Sequence, residues 1–133
     1  MTITSLNAQD TRTIESYVAG PAALLIAKAH KLYERIEDAN RGKPQRLSAK
    51  DAGDVYRIMI TIRPAEVAAS FAILRSDPRV STVTEHGLEF LHALFGAPAT
   101  PGTELAVQAL APGDVPEARI RALVPAYIAD LNR

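Results

Sequence analysis

A carboxylate set into an apolar helix face constrains this chain more than any other feature. Ser48–Met59, SAKDAGDVYRIM, reads as an amphipathic helix. At about 100° per residue, Asp51 falls inside the arc of Val55, Ile58 and Ile62, and Asp54 borders it. A charge turned toward a core is costly unless a partner meets it. The preceding segment, PAALLIAKAHKLYERIED, offers partners. Lys28 lies at the edge of its Leu25, Ala29, Leu32 and Ile36 stripe, with Lys31 and Arg35 beside it at i+3 and i+7. Two consecutive helices held by a Lys/Arg–Asp constellation are therefore expected. The pattern leaves two roles open for it, an architectural clasp or part of a site. As a clasp, Asp51 completes a capping box, Ser48-Ala49-Lys50-Asp51, at the positive end of its helix. Asp54 then has Lys50 and Arg57 at i−4 and i+3, and Lys28 snorkels from the core edge. As a site, the cationic edge faces phosphates, and the aspartates fix the lysine and keep it protonated.

Proline and glycine divide the rest. Gly20-Pro21 opens the first helix, with Pro at its first position, and NRGKPQR ends it. The second helix runs from its Ser48 cap to about Ile62 and buries Ala52, Val55, Met59 and Ile62. Gly53 inside it costs about 1 kcal/mol against Ala, which closer approach of a neighbouring helix would offset. Pro64 starts a third helix, PAEVAASFAILR. Asp77-Pro78 starts a fourth region, either one helix to Phe95 or a turn followed by a helix capped by Thr84, with Gly96 ending it. GAPATPG is a loop, Thr103–Ala111 a short helix, APGDV a turn, and Pro116–Leu131 a last helix kinked or broken near Pro125. The apolar runs Val67–Leu74 and Leu88–Phe95 are expected in the core. Thr2–Leu6 and Thr11–Val18, rich in β-branched residues, read as two short strands. The expectation is a mainly α, single domain over 1–133. It has a bundle of five to six helices over 20–133 and a small two-stranded β element within 1–19.

Composition narrows the function classes. The 133 residues are 47% apolar and 23% charged, as in a globular chain. Only 5% are aromatic and Trp is absent, so the core must be built from Ala, Leu, Ile and Val. Fifteen basic residues balance fifteen acidic ones, so no global field favours nucleic acid or an anionic membrane; such binding would need a local patch. The absence of cysteine excludes disulfides, cysteine nucleophiles and Cys-ligated metals. Ala22–Ala27 is too short to span a bilayer and the N-terminus lacks a signal-peptide pattern, so a cytoplasmic protein without membrane partners is expected. His30, His86 and His92 have no metal-ligand spacing, and His30 falls on the solvent side of its helix. No P-loop, nucleophile elbow or dinucleotide-binding glycine pattern occurs.

The run Pro21–Arg35, followed by Lys50–Tyr56, resembles a segment of nucleotidyltransferase-fold proteins of the abortive-infection and type IV toxin–antitoxin kind. There an LLxxKxxxLxxR helix precedes an R/K-D-x-x-D-Φ helix, and the similarity spans about residues 11–60. The resemblance implies that Lys28 is the functional lysine, Asp51 its companion, and Arg35 and Asp54 the flanking charged positions. Together with Lys31 these would form a nucleotide- or RNA-phosphate site. The family's catalytic sheet carries a Gly-Gly/Ser turn and an Asp-x-Asp or Asp-x-Glu pair, and this chain has neither. Metal ions that align a triphosphate need those carboxylates. The expectation is thus a remnant or split C-terminal domain of a nucleotidyltransferase-like protein, not catalytic alone. Magnesium would enter only with carboxylates from a partner. That partner would be a chain carrying the catalytic half, or a second copy. The alternative is a non-catalytic helical interaction module, a homodimer whose Lys–Asp pairs are structural. Arg79 and His86 spell R-x6-H, which resembles the motif of HEPN ribonucleases, small all-helical dimers, and gives a third reading.

Overall fold

The structure is a computed structural model, and it describes residues 20–43, 47–111 and 113–131. These form six helices: α1 (Pro21–Asn40), α2 (Lys50–Thr61), α3 (Pro64–Arg75), α4 (Ser81–Phe95), α5 (Pro101–Leu110) and α6 (Glu117–Leu131). No strand occurs among the described residues. The two strands expected within 1–19 lie outside them.

The starts of the helices follow from local chemistry. Pro21, Pro64 and Pro101 each occupy the first helical position, where their fixed φ suits the helix and their missing N–H would have no partner. The fourth helix begins neither at Pro78 nor with Thr84 as its cap. The carboxylate of Asp77 accepts the Arg79 backbone N–H at 2.9 Å, closing a turn, and α4 starts after Val80. Thr84 is buried inside α4. The fifth helix begins two residues before Thr103. Thr100 and Thr103 both donate their hydroxyls to the Ala97 carbonyl, which closes the GAPATPG loop and brings Pro101 into the first turn. The last helix continues through Pro125 without a break.

Helix α4 is the central element, touching α1, α3, α5 and α6, and α1 packs most extensively on α4 and also on α2 and α3. Helix α2 lies between α1 and α5, and α6 covers α3, α5, α4 and the end of α2. The α1 stripe is as expected for Leu25, Ala29 and Leu32, with Ile36 half-buried. In α2, Ala52, Val55 and Met59 are buried and Ile62 is half-buried. The two apolar runs supply Val67, Phe71, Leu74, Leu91, Leu94 and Phe95 to the core. The Tyr127 hydroxyl donates to the Ile62 carbonyl and ties α6 to the end of α2.

Glycines set the helix spacing at several contacts, Gly53 and Gly87 among them. Gly53 faces α5, where a Cβ would stand 3.1 Å from the Ala109 Cβ, so the expected close approach is present. At Gly87 the approach is tighter, and a Cβ would lie 2.6 Å from Ile26 Cγ2 on α1. Gly87→Ala is therefore expected to lower stability by about 1–3 kcal/mol through overpacking, despite its gain of about 1 kcal/mol in helix propensity. Thermal melts check this. In an Ile26→Ala background the same change should cost little, because the colliding side chain is gone.

Candidate functional site

The constellation expected between the first two helices is present. Lys28 on α1 places Nζ 2.8 Å from Asp51 Oδ1 and 3.0 Å from Asp54 Oδ2. Lys31, one turn on, reaches Asp51 Oδ2 at 3.1 Å. Lys50 approaches Asp54 Oδ2 at 3.4 Å, and Arg57 approaches Asp54 Oδ1 at 3.6 Å. Each of the four carboxylate oxygens thus meets a cation. The side chains of Lys28 and Asp51 are only 18% and 11% exposed, whereas that of Lys50 is 79% exposed. The cluster is layered, with a Lys28–Asp51–Asp54 centre and an outer rim of Lys31, Lys50 and Arg57. Four cations face two carboxylates, an excess of two positive charges.

Three details differ from the sequence reading. Asp51 does not cap its helix. The helix starts at Lys50 after Ala49, without a side-chain cap, and Ser48 Oγ accepts the Lys50 backbone N–H at 3.2 Å. Asp51 turns to α1 because hydrogen bonds from two ammonium groups are stronger than one from a neutral N–H. Arg35 forms no ion pair with either aspartate. Lys28 pairs with both Asp51 and Asp54 and Lys31 with Asp51 alone, so moving along α1 leads past the start of α2. Residues 47–50 there carry no carboxylate. The Arg35 Nε is buried without a hydrogen-bond partner among the described residues. His30 is half-buried, not solvent-facing. Its Nε2 lies 2.8 Å from the Val83 carbonyl oxygen, and its ring packs edge-on against Phe90. The wheel identified one stripe of α1, but α4 covers a second side.

Lys50 and Arg57 were legible only as local partners of Asp54; their i−4 and i+3 spacing was the signal for the rim. Arg79, of the R-x6-H pattern, forks onto Asp77 through Nε and Nη2 at 3.1 and 2.8 Å, and this holds the Asp77 carboxyl down to about 2. His86 is exposed on α4, tilted against Phe90.

The protonation states follow from burial and pairing in opposition. Burial alone would lower the pKa of Lys28, but hydrogen bonds and charge from Asp51 and Asp54 outweigh it, and the net shift is upward from 10.5. Burial would raise Asp51, yet Lys28 and Lys31 pull it below 3.8. Burial likewise opposes the lowering of Asp54 by Lys28 and Lys50. The centre is fully ionised at neutral pH.

These residues do not fit a catalytic magnesium pair. Their carboxylate oxygens are engaged by cations, and among the described residues no group of three or more His, Cys, Asp or Glu is placed to hold a metal. Also among the described residues, no helix is long and apolar enough to cross a membrane. No protein-family model, curated protein or solved structure matches the chain.

Breaking the centre from one side strands a partly buried charge. Asp51→Asn or Lys28→Met is expected to cost about 1–3 kcal/mol in chemical denaturation. The pair together should cost less than the sum of the two. The pH dependence has a defined sign. The lowered aspartates add stability above their ordinary value of 3.8 and lose it as pH falls through their depressed values. The raised lysine contributes fully below 10.5 and loses its contribution as pH climbs past its higher folded value. In denaturation midpoints measured against pH, Asp51→Asn should flatten the acid limb relative to wild type.

Proposed function

We propose that the chain is a non-catalytic helical module, akin to the C-terminal helical part of nucleotidyltransferase-like proteins. It binds the phosphate groups of a nucleotide or RNA at the rim of the α1–α2 cluster. The observation that carries this reading is the excess of two cations over carboxylates. Within it the roles divide by depth. Lys28, held by Asp51 and Asp54, positions the helices and adds positive potential without leaving its partners. Lys31, Lys50 and Arg57 are exposed, and two of them hold Asp54 only at 3.4 and 3.6 Å. Such loose surface pairs contribute little to stability, so turning Lys50 and Arg57 toward a phosphate costs little, while Lys31 adds its charge from beside Asp51. Lysine serves as a point charge and arginine as a planar fork, and both suit phosphate oxygens. Nucleotidyl transfer would need metal-binding carboxylates from a partner chain, and the proposal includes no such step.

A second reading is favoured by one observation: every oxygen of Asp51 and Asp54 already has a cation. On that reading the cluster is a clasp alone and the module acts through protein contacts, including a second copy.

Titration with inorganic triphosphate and with a short single-stranded RNA separates the two. The phosphate reading expects binding to weaken at least about ten-fold in a Lys50→Gln/Arg57→Gln double variant that melts like wild type. The slope of log K against log salt for the RNA should also fall by roughly 1.4. Absence of binding to either probe would leave the clasp reading standing.

A further inference from the structure

A shallow cavity of about 350 Å³, largely open to solvent, lies between the start of α1 and the end of α2, lined by Pro21, Leu24, Arg57, Ile58, Thr61 and Ile62. It is apolar apart from Arg57 and Thr61. Its size lies in the range of small-ligand sites, which are mostly apolar with a few polar groups fixing orientation. Arg57 belongs to both features, since it lines the cavity and lies 3.6 Å from Asp54 in the ionic cluster. The cavity and the cationic rim are therefore continuous along one α1–α2 groove. Leu24, 47% exposed on α1, forms part of the cavity wall, and Lys28 follows it one turn later.

Resting on the phosphate-site reading, we infer that the ligand is a nucleoside polyphosphate whose base occupies this cavity and whose phosphates run along the rim. Three features select this chemistry. The excess positive charge selects an anion. The rim from Arg57 to Lys50 covers eight residues of α2, a rise of about 10 Å, which suits a chain of phosphates more than a single one. At the junction stands an arginine, whose planar guanidinium stacks on a base while its edge donates hydrogen bonds. The aliphatic walls of Leu24, Ile58 and Ile62 cover the apolar faces of the ring. An RNA strand would use the rim alone, because its successive bases have one cavity to share.

The test compares ATP with inorganic triphosphate in metal-free buffer by calorimetry. ATP is expected to bind roughly ten-fold tighter, about 1.4 kcal/mol. Thr61 is exposed at the end of α2, so Thr61→Phe should fill the cavity mouth without disturbing the core. In that variant ATP should bind no tighter than triphosphate, while triphosphate binds as to wild type. Leu24→Gln, which makes the wall polar, should act in the same direction. Equal affinity of wild type for the two ligands, or an unchanged ATP affinity in Thr61→Phe, overturns the base site and leaves the phosphate rim intact. If neither ligand binds wild type, the phosphate-site reading falls and this inference with it.

Discussion

The bridge from Lys28 to Asp51 and Asp54 is the interaction that orders the first half of this fold. One ammonium group spans two carboxylates a helical turn apart, at 2.8 and 3.0 Å. Without it, two like charges would face the edge of a core at close range. An apolar contact between α1 and α2 could slide by a turn at modest cost, whereas this bridge fixes their register, a well-attested use of partly buried ionic groups. The register then propagates. It sets where Gly53 meets α5, and where Ile62 meets the Tyr127 hydroxyl of α6.

The same bridge decides which charges are available. A cation held between two carboxylates in a partly dry setting is anchored, and the hydrogen bonds and charge of those carboxylates shift its pKa upward. Lys31, Lys50 and Arg57 are exposed, and the latter two are loosely paired. The centre therefore supplies geometry and the rim supplies exposed charge. On the phosphate reading, an anion is attracted without dismantling the clasp. The clasp and site readings differ only in whether the rim is used.

Much of this was legible in the chain itself. Asp51 within an apolar arc, and lysines at the edge of the preceding stripe, pointed to their pairing because an unpartnered buried charge is so unfavourable. The helix starts at Pro21 and Pro64 were legible for a similar reason, since proline has few places to go. What the sequence did not disclose depended on tertiary competition. Asp51 chose ammonium groups over its own helix end. Arg35 followed the same spacing as Lys28 and Lys31 but ran beyond the last carboxylate of α2, a matter of helix orientation that a single wheel does not contain. The wheel places His30 in solvent because it shows one stripe of a helix that is packed on two sides. The cavity beside Arg57 has no periodic signature; it lies between the start of α1 and the end of α2.

The balance of fifteen basic and fifteen acidic residues conceals a local separation of sign. The second ionic node, around Arg121, has the opposite make-up. Its guanidinium pairs with Glu104 through two hydrogen bonds of 2.9 and 3.1 Å, with Glu117 at 2.8 Å, and with the Pro98 carbonyl at 2.6 Å. One cation there is enclosed by two carboxylates and a carbonyl, so the node repels anions and serves to lock α5, α6 and the loop before α5. The α1–α2 node has two cations to spare. Two clamps of similar construction thus differ in the sign they present to solvent, and of the two only the Lys28 clamp can attract a phosphate. Net charge alone pointed away from phosphate ligands; the distribution of that charge between the two nodes restores them as candidates.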